Sequence, residues 1–207
     1  MSKILVLFHS WTTHVYKLAE SVAEGATAVD GIEVVLKQVP EIVPESVLER
    51  GKAVEGRKTF AHIPEASVEE LPDYDGFAFG TPTRFGNMST TMRSFLDQTG
   101  LYYAQGTLIG RPATVFCSTG TGGGLETTIT SFWNTLAHHG MTIVPLGPRT
   151  SATKDMTGAN GGSPYGASAY AAGSPPRPSE IELEAARVQG RGLAEIVGVM
   201  KSYRWQI

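Results

Sequence analysis

Apolar runs of strand length recur along this chain at Ile4 to Phe8, Ile32 to Val39, Gly76 to Thr81, Ala113 to Cys117 and Thr142 to Leu146, with helix-like stretches between most of them. That alternation is the βαβ rhythm of a parallel sheet. From His14 to Val29 the residues Val15, Leu18, Ala19, Val22 and Ala26 share one face, which predicts a helix packed on the first strand. Further helices are expected over Ser89 to Gln98, over Ser131 to His139 before Gly140, and from a Ser179 cap, with Glu182 three residues on, to about Lys201. Five strands at this spacing favour a doubly wound α/β sheet of order 2-1-3-4-5, with helices on both faces, over the six-stranded dinucleotide fold.

The chain reads as one domain over residues 1–207. Two segments exceed simple connections: about 40–72, with prolines and many charges, and about 148–178, rich in Gly, Ala and Ser. Loops of this length in a compact domain are usually functional or interface-forming. A hydrophobic fraction of 41% with 18% charged residues is ordinary for a globular protein. A net charge of -3, with no Lys/Arg run, argues against nucleic acid as a partner. No apolar stretch approaches the roughly 20 residues of a membrane helix, so no membrane insertion is expected. The lone Cys117 excludes an internal disulfide, and Met1-Ser2-Lys3 runs into the first strand without a leader pattern. A cytoplasmic protein is the expectation.

Three loops follow strands one, three and four, which adjoin in the proposed order, so all three gather at the carboxyl edge where open α/β sheets bind ligands. The first, Ser10-Trp11-Thr12-Thr13-His14-Val15, offers hydroxyls and free amides at a helix N-terminus, which suits a phosphate dianion. Its plain alternative is a Ser or Thr that only caps the helix. The second, Thr81-Pro82-Thr83-Arg84-Phe85-Gly86-Asn87-Met88, offers hydroxyls, amides and an aromatic side chain to a flat, polar-edged ring. Taken alone, Phe85 reads as core and Arg84 as a solvated charge. The third, Ser118-Thr119-Gly120-Thr121-Gly122-Gly123-Gly124, clusters glycines whose amides can approach a ligand because no Cβ intervenes. It fails as a dinucleotide fingerprint, since Leu125 stands where the third glycine belongs. Phosphate at the first loop and a ring between the other two make a mononucleotide site. Cys117, at a strand end, reads as core, and no metalloprotease or nucleophile-elbow motif is present.

The second and third loops, together with Leu136-Ala137-His138-His139-Gly140-Met141 and Gly161-Gly162-Ser163-Pro164-Tyr165-Gly166-Ala167, resemble the WrbA family of flavodoxin-like NAD(P)H:quinone oxidoreductases (type IV) over nearly the whole chain. The resemblance implies FMN as cofactor, NADH or NADPH as reductant, a quinone as acceptor and a homotetramer. Carried onto this sequence, it puts the flavin phosphate on Ser10, Trp11, Thr12, Thr13, His14 and Val15. The ring would lie against Pro82, Thr83, Arg84, Phe85 and Asn87. Its pyrimidine edge would meet the amides of Ser118, Thr119, Gly120, Thr121, Gly122 and Gly123. His138 matches a family position near the flavin, against the plainer reading of a histidine satisfied within its own helix; His139 is expected to be structural. The flavin carries the chemistry, so no catalytic side chain is expected.

The chain departs from that pattern in the first loop, where the family commonly reads Ser-Met-Tyr-Gly-His. Thr12 replaces a tyrosine associated with the nicotinamide, removing an aromatic surface worth about 0.5 to 1.5 kcal/mol; Trp11 and Tyr16 are the candidates to stand in for it. Thr13 replaces a glycine. It would cost about 1 to 3 kcal/mol at positive φ, whereas an αR or β backbone would let it add a hydroxyl to the phosphate. In Leu101-Tyr102-Tyr103, Tyr103 is the nearest match to a family tryptophan over the substrate pocket, so Thr12 and Tyr103 are the expected substrate contacts. The competing reading is a flavodoxin-like electron carrier without quinone reductase activity, against which the near balance of 17 basic and 20 acidic residues weighs.

Overall fold

The computed structural model describes residues 1–155, 158–172 and 176–200. Three central strands, β1 (Ser2–Phe8), β3 (Gly76–Pro82) and β4 (Pro112–Thr119), are buried along almost their whole length. The remaining strands are β2 (Ile32–Gln38), β5 (Thr142–Ile143) and β6 (Ser168–Tyr170). All pairings are parallel, in the order β2-β1-β3-β4-β5, which is the flavodoxin-like order expected. Helices α1 (His14–Thr27) and α7 (Glu180–Met200) cover one face. The other is covered by α4 (Thr90–Asp97) and α6 (Leu125–His138), through Met92, Phe95, Ile129 and Phe132. Short helices α2 (Glu45–Arg50) and α3 (Val54–Lys58) and a 3-10 turn at Val68–Asp73 occupy the first long segment, and α5 (Gly100–Ala104) follows α4.

The apolar face read from His14 to Val29 is the buried face of α1, and Ser89 caps α4 by accepting from the Met92 amide. The final helix is described as far as Met200; Lys201, where its end was expected, lies outside the described residues, as do 156–157 and 173–175 of the second long segment.

The fifth strand differs from expectation. It was read as Thr142 to Leu146, but only Thr142 and Ile143 pair along β4, opposite Pro112 and Ala113. Pro145 has no N–H to continue a ladder. The sheet edge resumes in β6, whose Ser168, Ala169 and Tyr170 lie opposite Cys117, Ser118 and Thr119. Side chains fill the gap between. Thr114 Oγ1 donates to the Val144 carbonyl at 2.7 Å, Gln189 Nε2 donates to the Val115 carbonyl at 2.9 Å, and Gln189 Oε1 accepts from the Ala167 amide at 2.6 Å. A buried backbone group left without a partner costs about 1–3 kcal/mol, so one buried glutamine lets the second long segment leave the sheet and return.

Candidate functional site

The loops after β1, β3 and β4 meet at the carboxyl edge of the sheet. Thr83 N donates to Ser118 O at 2.8 Å, Thr128 Oγ1 to Thr83 Oγ1 at 3.2 Å, and Ser131 Oγ to Gly86 O at 3.1 Å, which lock the second and third loops to the start of α6. A Cβ at Gly124 would press on Thr83, and one at Gly86 on Thr127, so these loops approach as closely as glycine allows.

In the first loop the main-chain N–H groups of Trp11 to Val15 have no acceptor among the described residues. They stand at the positive end of α1, an arrangement that holds a phosphate. The capping alternative holds for one amide: Thr13 makes no side-chain cap, but the Ser10 hydroxyl accepts from the first-turn amide of Tyr16, and the amides of Trp11 to Val15 are left over. Its backbone is αR, with φ -85°, so threonine in place of glycine brings no strain there. The hydroxyls are less available than the sequence suggested. Ser10 Oγ donates to Thr12 O and accepts from the Tyr16 amide, and Thr12 Oγ1 lies 2.8 Å from His14 Nδ1. Only the Thr13 hydroxyl has no partner among the described residues. Burial, and then Lys17, holds the His14 imidazole below its usual pKa, against an opposing effect of Glu182.

The second loop turns back between Arg84 and Asn87, which exchange hydrogen bonds of 2.8 and 3.0 Å. Phe85 and Gly86 take φ values of 51° and 74°. A bulky residue in the left-handed region stores about 1–3 kcal/mol of strain. The turn nevertheless places Phe85 there with its side chain fully exposed, at 102% of reference, so the core reading is corrected. Arg84 is not a plain solvated charge either, since its guanidinium sits 5.0 Å from the centre of the Trp11 ring. Pro82 ends β3 in the core, and Asn87 Nδ2 donates to the Phe85 carbonyl at 3.2 Å.

In the third loop Ser118 and Thr119 are buried at the end of β4, while Gly120, Thr121, Gly122 and Gly123 are exposed. The amides of Gly120 to Gly124 have no acceptor among the described residues, and nothing lies within 4 Å of a Cβ built on Gly120, Gly122 or Gly123. The residues therefore fit an FMN: unpaired amides for its phosphate, an exposed ring for its flat face, and open amides for a polar edge. Cys117 is buried, its thiol pushed up to about 12 chiefly by burial, which leaves it inert and in the core.

Tyr16 cannot replace the missing tyrosine, because its ring packs on Phe8 and Phe60 and its hydroxyl donates to Glu20 at 2.7 Å. Trp11 remains, half-buried, with its Nε1 donating to Gly51 O at 3.2 Å.

Tyr103 and His138 are not brought to these loops within one chain. Helix α6 starts at the third loop and carries His138 to its far end, roughly 20 Å away at 1.5 Å per residue. There His138 Nδ1 lies 2.8 Å from the Asn134 carbonyl of its own helix. Tyr103, Thr99, His138 and His139 line an open pocket of about 430 Å³, with the Tyr103 and His139 rings in edge contact. His139 is buried, 2.9 Å from Thr99 Oγ1.

A polar cluster behind the first loop escaped the sequence reading. His9, Glu41, Arg57 and Thr91 converge there from four separate segments, and no local motif announces them. Burial opposes the charged form of Glu41. It is outweighed by the hydrogen bond and charge of His9, the Val43 amide and Arg57, which bring the carboxyl down to about 2. Burial lowers the His9 pKa, against the raising effect of its hydrogen bond to Glu41.

Among the described residues no helix is long and apolar enough to cross a membrane. Solved structures with a similar fold include a WrbA-like flavodoxin from Agrobacterium tumefaciens (21% identity, TM-score 0.66, 96% of this chain and 99% of that one). An archaeal flavodoxin (17%, 0.60, 95% and 99%) and an oxidoreductase from Corynebacterium diphtheriae (15%, 0.60, 99% and 99%) are also similar. Residues 2–152, which carry β1 to β5 and all three loops, match the family of NADPH-dependent FMN reductases, and the chain belongs to that family as an FMN-binding, NAD(P)H-dependent oxidoreductase.

Proposed function

We propose that this chain is a WrbA-type NAD(P)H:quinone oxidoreductase that reduces quinones by two electrons in a ping-pong cycle. Supporting the reading is the meeting of three loops at one sheet edge, with unpaired amides at the first and third and the strained, exposed Phe85 at the second. Bound FMN would supply hydride acceptance from the nicotinamide and two-electron delivery to the quinone. The chain's own groups orient and stabilise. The amides of Trp11 to Val15 and the Thr13 hydroxyl hold the phosphate. Thr83, Arg84 and Phe85 flank the ring, beside Pro82 and Asn87. The open amides of Gly120 to Gly123 stabilise negative charge at the pyrimidine edge, where fixed dipoles act without reorganising, while the amides of Ser118 and Thr119 stay in the sheet. Thr12 would contact the nicotinamide and then the quinone. The expected result is anaerobic bleaching of the yellow holoprotein by NADPH or NADH, with colour restored by a benzoquinone. A flavin that neither nucleotide bleaches would refute the oxidoreductase reading, and bleaching without return of colour would refute the quinone.

We place His138 and Tyr103 at the flavin of a neighbouring copy in a homotetramer, because their own chain holds them at the opposite edge of the sheet. Exposed Leu101 and Tyr103 beside the His138 pocket suit such a contact. Gel filtration should give a mass near four chains of 22.1 kDa. A mass near one chain would remove the tetramer and both residues from the site together.

A further inference from the structure

The phosphate loop is not free to choose its shape, because a charged side chain from the first long segment reaches under it. Arg57, at the end of that segment's helical part, donates from its guanidinium to the Ser10 carbonyl at 3.1 Å and pairs with Glu41 at 2.8 Å. The guanidinium of Arg57 lies over Phe60, 5.5 Å from the ring centre.

Glu41 is saturated by donors. One oxygen accepts from the amides of Ile42 and Val43 and from the Thr91 hydroxyl, each at 3.0 Å. The other accepts from His9 Nε2 at 3.1 Å and from Arg57. Every group facing the carboxylate is a donor, and together they come from the end of β1, from α3, from α4 and from the turn after β2. His9 is 2% exposed and its Nδ1 has no partner, so this bond to Glu41 is what holds its ring.

Two further contacts press the same segment onto the loop. Trp11 packs on Gly51, and Thr12 on Gly56, so closely that a Cβ at either glycine would collide or crowd. Residues 41–57 thus form a backing for the turn from Ser10 to Thr13, and the loop's amides are held outward rather than folded into bonds of their own. An anion site whose donors are already aimed does not have to be ordered when the anion arrives.

We infer that Glu41, acting through Arg57 and His9, is the positioning residue of the FMN phosphate loop, so that the first long segment sets the chain's affinity for the phosphorylated flavin. The inference rests on the proposal that the Ser10–Val15 loop holds the phosphate. Glu41 touches neither cofactor nor substrate. Its effect is confined to the end of the ligand that the loop holds, which distinguishes it from a residue that merely stabilises the fold.

The test compares FMN with riboflavin, which has the same ring and no phosphate, by fluorescence titration of apoprotein from wild type and Glu41→Gln. Glutamine must turn its amide nitrogen toward one set of donors, which breaks the saturation without changing size. Wild type is expected to prefer FMN strongly. In Glu41→Gln that preference should shrink by on the order of 10- to 100-fold, the range typical when outer groups orienting a binding group are lost, with riboflavin affinity unchanged. An unaltered FMN-to-riboflavin ratio, or an equal loss for both ligands, overturns the positioning role. Equal binding of the two by wild type overturns the phosphate loop itself. If Glu41→Gln does not fold, Arg57→Met, which keeps an unbranched side chain and removes the guanidinium, is read by the same ratio.

Discussion

Glu182→Ala is expected to destabilise the protein by about 3–5 kcal/mol, the cost of breaking a buried charge pair from one side. Glu182 is fully buried at the start of α7. One carboxylate oxygen accepts from the amides of Gly161 at 2.8 Å and Tyr170 at 3.2 Å and pairs with Arg177 at 3.1 Å. The other accepts from the Ser179 amide at 2.7 Å, the half of a capping box that Ser179 and Glu182 suggested in sequence. Alanine would strand a buried guanidinium and orphan three amides at once. Removing Arg177 as well would not restore stability, because the amides would still lack an acceptor. The melting temperature should fall by roughly 6–20 °C, at 2–4 °C per kcal/mol for a chain of this size. Glu180→Ala is the control. That side chain is 78% exposed, and its pair with Arg187 should be worth less than about 1 kcal/mol. Similar denaturation midpoints for the two variants would show that Glu182 does not anchor the second long segment.

Gly190→Val should be comparably damaging, by about 3 kcal/mol, for a steric reason. Helices α1 and α7 cross at reciprocal glycines: a Cβ on Gly190 would enter the Val22 backbone, and one on Gly25 would enter the Arg187 backbone. Neither obstacle is the movable end of a side chain, so the helices must separate, and Leu18, Val22, Leu193 and Val197 lose contact in the core they share. Gly198 lies on the same helix with nothing within 4 Å of its Cβ. Gly198→Ala should be neutral or stabilising by up to about 1 kcal/mol, from helix propensity alone. Differential scanning calorimetry of the two variants separates crowding from propensity. A Gly190→Val melting temperature within a degree or two of wild type would mean that the helices can part without penalty.

Apart from the Ser179–Glu182 cap, both predictions concern contacts that the sequence did not reveal, although much else was legible there. Strand order and the three loops could be read because they depend on local pattern: continuous apolar runs for strands buried on both faces, and polar, glycine-rich breaks at their ends. The shape of Thr13 was likewise anticipated as αR or β, and Cys117 as core. Phe85 was harder. An aromatic residue in a loop reads as core by composition, and only the left-handed turn it shares with Gly86 turns it outward.

What the sequence by itself determined, then, was the doubly wound order and the edge where ligand-binding loops collect, since strand and helix periods are written within a few residues. The tertiary structure decided which distant groups share a place. It put Glu41 and Arg57 beneath the first loop, set Gln189 and Glu182 to satisfy a sheet edge interrupted at Pro145, and carried Tyr103 and His138 to the opposite edge along α5 and α6. Those relations join residues 12 to 74 positions apart. They follow from helix direction and from the need of every buried donor for an acceptor, and neither leaves a local mark in the chain.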